Sequence, residues 1–174
     1  MKTKTGCMLL ASLMLTASET TLAADNLHFY GNLLSKTCTL VVEGDVLAEV
    51  HFPTISSQDL MVAGQSARVP VVFKLKDCKG PADYQVKVTL TGTEDSEQPG
   101  FLALDSASGA QGVGIGMEKF DGTWVPLNDT TGAIFNLSNG ANNLNFNTWL
   151  QAKSGRDVTS GDFTASLIAT FEYI

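Results

Sequence analysis

Basic residues, cysteines and histidines are all scarce in this sequence. Lys and Arg number 11 against 18 Asp and Glu, and the net charge is −7. The chain therefore lacks the positive field that binding to nucleic-acid phosphates requires. Hydrophobic residues make up 44% and charged residues 17%, which is too apolar for a disordered chain and too interrupted by polar residues for a multi-span membrane protein. Its 174 residues predict one globular domain.

Motifs for catalysis and for cofactor or metal binding are also missing. His28 and His51 have no carboxylate or cysteine at ligand spacing, and the chain has neither a CxxC nor a GxSxG sequence. Glu94, Asp95 and Glu97 lack the spacing of a calcium loop, so we expect a solvated loop there. The sequence predicts no catalytic residue, no cofactor and no metal. A secreted β-sandwich enzyme is disfavoured because paired catalytic groups are absent.

The first 23 residues have the pattern of a secretory signal peptide. Lys2 and Lys4 precede an apolar run at 7–17, which is too short to span a bilayer. The small-residue exit at 21–23 predicts cleavage after Ala23, with cleavage after Ala24 nearly as favourable. We therefore expect an exported protein.

Once the leader is removed, Cys38 and Cys78 are the only pair of cysteines in the sequence. In an oxidising compartment such a pair is expected to form a disulfide. Closing a loop of this size contributes about 4 kcal/mol in the chain-entropy model. A two-thiol metal or redox site is disfavoured because the spacing is not that of a CxxC motif.

The remaining sequence alternates apolar and polar residues with a period of two, as half-buried strands do. The Gly-rich segment at 112–116 lacks the GxGxxG register and is expected to be a strand with a glycine face. Asp121 and Gly122 predict a hairpin turn, and no window shows a helical stripe. We predict an all-β sandwich. The predicted strands are 39–42, 46–52, 69–75, 84–91, 101–104, 113–117, 144–151 and 163–173.

The two ends of the exported chain are the most informative segments. The last strand-like segment alternates from Phe163 to Tyr173 and stops one residue before the end of the given sequence. Near the start, Leu27, Phe29, Gly31 and Leu33 fall on one side of another strand-like segment. Considered alone, both segments also fit ordinary sandwich strands.

Together these features resemble the subunits of chaperone–usher pili, the type 1 and P pilus pilin family. The resemblance rests on the N-terminal strand-like segment with its glycine, the cysteine spacing, Gly161 fourteenth from the end and Tyr173 as the penultimate residue. Ser160 replaces the proline often found before that glycine. Segments 25–34 and 92–104 look more like the minor tip and adaptor pilins than like a rod-forming major pilin.

The resemblance implies an incomplete immunoglobulin-like β-sandwich that lacks its last strand and is completed by donor-strand exchange. Residues 24–35 would be the N-terminal donor-strand extension and 36–174 the pilin domain. The implied donor-strand residues are Leu27, Phe29, Gly31 and Leu33. The implied residues of the groove edge and of chaperone anchoring are Gly161, Phe163, Ala165, Leu167, Ala169, Phe171, Tyr173 and Ile174.

The resemblance also implies function and partners. The chain would be a structural subunit of a bacterial fimbria, specifically a minor or adaptor subunit, and would contribute to cell adhesion. Its partners would be a periplasmic pilus chaperone, an outer-membrane usher and neighbouring subunits in a head-to-tail polymer. It would be exported to the periplasm and end in the extracellular fimbrium. The alternative is a receptor-binding tip protein with a loop-borne glycan site.

Overall fold

The described residues form two antiparallel β-sheets and one short helix. The computed structural model describes residues 37–41 and 49–174, so the predicted signal peptide and donor segment lie outside it. The first sheet has the strand order β1-β2-β6-β4 and the second has the order β5-β3-β7. The prediction of an all-β sandwich is confirmed. The elements are β1 (Thr37–Val41), α1 (Ser57–Ala63), β2 (Val69–Lys79), β3 (Gln85–Gly92), β4 (Val113–Lys119), β5 (Ala133–Asn136), β6 (Gly140–Ala152) and β7 (Leu167–Tyr173).

Both sheets contribute alternate side chains to one main core. On β3, the central strand of its sheet, Val86, Val88 and Leu90 are at most 1% exposed. On β6, Phe146 is 1% exposed and packs edge-to-face against Phe73 of β2, with ring centroids 5.6 Å apart. Burial of each such side chain contributes about 1.5–3 kcal/mol. The period-two patterns that predicted strands at 84–91 and 144–151 therefore mark the core correctly.

The glycine-rich segment 112–116 leads into and forms most of β4, as expected. The apolar residues of β4 contact the core, and its glycines lie on the outer face of the first sheet. A Cβ atom on Gly116 would lie 2.5 Å from the ring of Trp149 and 2.8 Å from the ring of Phe101. Glycine is required at this position because two aromatic rings cover the strand there.

One helix was not predicted. The side chain of Ser56 caps α1 by accepting a hydrogen bond from the backbone N–H of Asp59 at 3.2 Å. Gly64 ends the helix in a left-handed conformation, with φ of 77°. Only Leu60 of the helix is buried. A seven-residue helix with one buried side chain has no apolar stripe to detect, although its capping residues are visible in the sequence.

Three strand predictions were wrong in part, and one strand was missed. Residues 49–52 are not in a strand, and residues 42–48 lie outside the described part of the chain. Segment 101–104 pairs through an isolated bridge at Leu102. The predicted strand at 163–173 is regular only from Leu167, because loop residues bond to its first part. The short strand β5 (Ala133–Asn136) was not predicted. The Asp121–Gly122 hairpin turn is confirmed by the bond from Lys119 N–H to the carbonyl of Thr123.

The acidic loop 94–97 is less solvated than predicted. The Asp95 side chain is 5% exposed and lies 2.6 Å from the ammonium of Lys153. Its other oxygen accepts the backbone N–H groups of Glu97 and Gln98 at 2.9 and 3.1 Å. Asp95 thus fixes the loop to the end of β6, and the expectation of a solvated loop is wrong at this residue.

In the described ranges, no helix is long and apolar enough to cross a bilayer.

Candidate functional site

Strand β7 lies at the edge of the second sheet. It pairs antiparallel with β3 along its whole length, from Gly92 opposite Leu167 to Val86 opposite Tyr173. Among residues 37–41 and 49–174, none forms a strand on the opposite edge of β7. An unpaired edge presents backbone donors and acceptors to any strand that approaches it.

The pairing with β3 determines which backbone groups of β7 face that open edge. Ile174 and Gln85 exchange both backbone hydrogen bonds, at 2.9 and 3.1 Å. In an antiparallel ladder such bonded pairs alternate with non-bonded pairs. The residues of β7 in non-bonded pairs therefore turn their N–H and C=O groups away from β3. These residues are Leu167, Ala169, Phe171 and Tyr173.

The same four residues turn their side chains toward the main core. All four pack against it but are only partly buried, whereas Val86, Val88 and Leu90 of β3, which lie opposite the last three of them, are at most 1% exposed. On the other face of β7, Ile168 is 67% exposed. The core is thus less completely covered along β7 than along β3. We call this partly covered strip, with its open backbone edge, the β7 groove.

Across the β7 groove lie residues of the first sheet. The ring of Phe171 packs edge-to-face against Phe73, with centroids 5.4 Å apart. Further along, the hydroxyl of Tyr173 accepts a hydrogen bond from the backbone N–H of Cys38 at 3.2 Å and lies 3.5 Å from its carbonyl oxygen. Cys38 forms the predicted disulfide with Cys78. The disulfide and the tyrosine therefore join β1, β2 and β7 at one end of the groove.

The residues that precede β7, at 162–166, are not part of a regular strand. The carbonyl of Asp162 accepts the N–H of Gly109 at 2.8 Å, and a Cβ atom on Gly161 would lie 2.6 Å from the carbonyl carbon of Gly109. Phe163 packs against Phe52, with ring centroids 5.6 Å apart. Phe163 belongs to a second apolar cluster, around Leu60. This cluster borders a cavity of about 370 Å³.

The structure therefore divides the predicted groove residues. Those from Ala165 to Tyr173 border the main core, while Phe163 contacts the second cluster and Gly161 contacts a loop. Ile174 is 41% exposed and continues the ladder with β3. The predicted donor-strand residues Leu27, Phe29, Gly31 and Leu33 lie outside the described residues. Their roles and those of the groove residues stay predictions.

Two residues of this region were predicted from the sequence only as positions in alternating strands, with no role in the site. Phe73 belongs to the alternating segment 69–75, which identifies it as inward-facing but gives no sign that it opposes β7. Tyr84 is 2% exposed, and its hydroxyl donates to the carbonyl of Ser138 at 3.2 Å.

Within the described ranges, no three His, Cys, Asp or Glu residues are grouped so as to hold a metal ion.

Tyr84 makes the fold sensitive to alkaline pH. Burial raises the pKa of its hydroxyl above the ordinary 10.0, and nearby Tyr173 raises it further. The unfolded chain then releases this proton at lower pH than the folded chain does. Ionisation of Tyr84 therefore leaves the free energy of unfolding unchanged well below pH 10 and lowers it as the pH rises from about 10 through the pKa of the folded state. Urea unfolding at several alkaline pH values should show this fall, and Tyr84→Phe should make it shallower. An unchanged slope in Tyr84→Phe would assign the effect to other residues.

Comparison with known protein families gives a match over most of the chain. The family model described as "Fimbrial protein" matches residues 27–173. A fimbrial-like protein of Escherichia coli K12, YfcP, is 74% identical over 170 residues, which is 97% of this chain and 95% of that protein. The major MR/P fimbria protein of Proteus mirabilis is 30% identical, over 86% of this chain and 85% of that protein.

Solved structures with the same fold include two subunits of the P pilus. The rod subunit PapA superposes with a TM-score of 0.67 at 21% identity, over 79% of this chain and 99% of that chain. The adaptor subunit PapF superposes with a TM-score of 0.51 at 17% identity, over 82% and 98%. At these identities the likeness shows a shared fold.

Proposed function

The chain belongs to the fimbrial protein family, and on this premise we propose that it polymerises by donor-strand exchange. It is a fimbrial subunit of the chaperone–usher type, and its relatives include fimbrial proteins. One observation carries the proposal. The residues of β7 whose core-facing side chains are only partly buried are the same residues whose backbone N–H and C=O groups face the open edge.

A strand added at this edge would complete both the ladder and the core. Residues of the added strand that bond directly to β7 place their side chains on the core face, because bonded antiparallel neighbours share a face. The segment 24–35 of a neighbouring subunit has the required alternation: Leu27, Phe29 and Leu33 would enter the β7 groove. Gly31 would lie where the groove is too shallow for a side chain.

Before polymerisation, we expect a strand of the periplasmic chaperone to occupy the same groove. The hydroxyl of Tyr173 contacts Cys38 inside the fold, which leaves the terminal carboxylate of Ile174 to meet basic residues of the chaperone. Ile174 is 41% exposed, which suits this contact. In the same proposal, residues 1–23 direct export to the periplasm and the outer-membrane usher passes the subunit into the fibre.

We further propose that the subunit has a minor or adaptor position and contributes to adhesion of the cell. The position rests on segments 25–34 and 92–104, which resemble minor and adaptor pilins. Phe101 of the second segment packs against Trp149 and thereby fixes this segment on the first sheet.

Photo-crosslinking in the assembled fibre tests donor-strand exchange directly. The full-length chain would carry a benzophenone amino acid in place of Phe29 and be exported by the producing cell. We expect irradiation to join one subunit to its neighbour in the fibre. The crosslinked peptide of the neighbour should contain β7 (Leu167–Tyr173) if the neighbour is a second copy of this chain, or the equivalent strand if it is a different subunit. The reason is that an inward-facing donor side chain lies within the neighbour's core.

The matched control places the same probe at Tyr30, one residue along. This side chain would point out of the sandwich, so we expect the link to β7 to be at least several-fold weaker. A link from position 29 to β7 within a single chain would mean that the segment fills its own groove. That result, or equal links from both positions, contradicts the proposal.

A further inference from the structure

The outer face of the first sheet carries a row of aromatic rings. At one end of the row, Trp149 of β6 is buried, with 6% exposure, and at the other end Trp124 is 46% exposed. Phe101 joins them, with its ring centroid 5.9 Å from that of Trp149 and 5.5 Å from that of Trp124. The row therefore has a buried base and one accessible indole.

The hairpin after β4 places Trp124 directly beside a carboxylate. Glu118 and Trp124 are opposite each other across an antiparallel bridge. The backbone bonds Lys119 to Thr123 and Val125 to Met117 flank this pair at 2.8 and 2.9 Å. Glu118 and Trp124 therefore form a non-bonded pair, the type in which facing side chains come closest.

Arg68 neutralises that carboxylate and holds it in place. Its guanidinium donates to both oxygens of Glu118, at 3.0 and 3.3 Å, and to the side-chain oxygen of Gln65 at 3.1 Å. It also stacks over Trp149, 4.1 Å from the ring centroid. A bidentate, stacked arginine is a rigid group, and the side chains of Arg68 and Glu118 keep 34% and 13% exposure.

Two glycines make room for this arrangement. A Cβ atom on Gly100 would lie 2.8 Å from the ring of Trp124, and one on Gly116 would lie 2.5 Å from the ring of Trp149. Gly100 has φ of 84°, a conformation that favours glycine. The exposed indole is thus held by the backbone below it. We call Trp124, Phe101, Glu118 and Arg68 the Trp124 platform.

We propose that the Trp124 platform binds a neutral hexose unit of a glycan. A pyranose ring offers one face rich in C–H groups, which suits stacking on an indole, and hydroxyl groups that donate to carboxylates and accept from guanidinium groups. The charges of Arg68 and Glu118 cancel, which disfavours anionic and cationic ligands. The platform lies on the outer face of the first sheet, whereas the β7 groove faces the core, so glycan binding does not depend on the proposed strand exchange.

The affinity of one platform is expected to be low. A flat site that contacts a single sugar ring supports a dissociation constant on the order of 1 mM. Saturation-transfer NMR measures binding in this range. The experiment uses the donor-complemented monomer, in which residues 24–35 are attached through a short linker to the end of residues 36–174, with the methyl glycosides of glucose, galactose, mannose and N-acetylglucosamine. We expect transfer to at least one glycoside, strongest at the C–H protons of one ring face.

Variants identify the platform. Trp124→Ala should reduce the transfer at least about tenfold, Trp124→Tyr should retain a stacking ring and most of the signal, and Glu118→Gln should weaken it several-fold by removing the charged acceptor. Phe120→Ala is the matched control: Phe120 is an aromatic residue of the same hairpin that is 73% exposed, and its removal should leave the signal unchanged.

Three results would overturn the proposal. The first is no transfer to any of the four glycosides, and the second is a transfer that Trp124→Ala and Trp124→Tyr leave unchanged. The third is self-association that requires Trp124 in sedimentation experiments without sugar, since the platform would then be a contact between copies of the chain. Circular dichroism of each variant verifies that a lost signal is not caused by unfolding.

Discussion

Attaching residues 24–35 through a short linker to the end of residues 36–174 is expected to produce a monomer that unfolds cooperatively. Residues 36–174 alone should aggregate or melt at least about 10 °C lower, since each kcal/mol shifts the melting temperature of a domain of this size by about 2–4 °C. The reason is the partial exposure of the core-facing side of β7. The measurement is thermal unfolding by circular dichroism, with sedimentation to determine the molecular mass.

The size of this effect follows from the burial of three donor side chains. Leu27, Phe29 and Leu33 would together contribute about 5–9 kcal/mol when fully buried, before the cost of ordering the added strand. The net gain is a few kcal/mol, which is a large share of the usual stability of a domain, about 5–15 kcal/mol. A donor segment with serine at these three positions keeps the backbone bonds and should lose most of the gain. Equal melting of residues 36–174 with and without the donor segment would contradict the open-groove proposal.

The sequence predicted the strands whose residues alternate regularly between the core and the surface. β3 follows this pattern from Val86 to Leu90 and β6 from Leu144 to Leu150, where Trp149 on the outer face is also buried. β7 has the same alternation, yet alternation alone does not tell an edge strand from a central one. Among the described residues, β7 pairs with β3 on one side only, and this is a property of the assembled sheets. The resemblance to pilins, rather than the periodicity, predicted that β7 borders a groove.

Contacts between distant segments were the least predictable. The bond between Tyr173 and Cys38 joins residues 135 positions apart, and no local pattern signals it. The same is true of Arg68 and Glu118, which are 50 positions apart. Trp124 could be recognised as part of a hairpin, but its exposure depends on Gly100 and Phe101 of another loop. Local propensity and turn chemistry determine elements, whereas packing determines which side chains meet.

The second large effect is expected on removal of the disulfide. Replacing both Cys38 and Cys78 with alanine should lower the free energy of unfolding by about 4 kcal/mol, because the unfolded chain regains the freedom of a loop that spans a sequence separation of 40 residues. Cys78 is 2% exposed, so the alanine also leaves a small void in the core. Urea unfolding of the donor-complemented monomer measures the loss, and chemical reduction of the unaltered protein should reproduce most of it. Thr39→Ala, an exposed position on β1, is the control and should change little.

The disulfide should also affect how much the hydrogen bond of Tyr173, at one end of the β7 groove, contributes to stability. Tyr173→Phe removes the hydroxyl that contacts the backbone of Cys38, and the loss of one such bond costs about 1 kcal/mol. In the chain without the disulfide, β1 is less constrained, so the same substitution should cost less than in the oxidised protein. A double-mutant cycle measures this coupling. Equal costs in the two backgrounds would show that the tyrosine and the disulfide act independently. In the preceding experiment, a loss below about 1 kcal/mol on replacing both cysteines would contradict the stabilisation expected from a disulfide that closes a loop with a sequence separation of 40 residues.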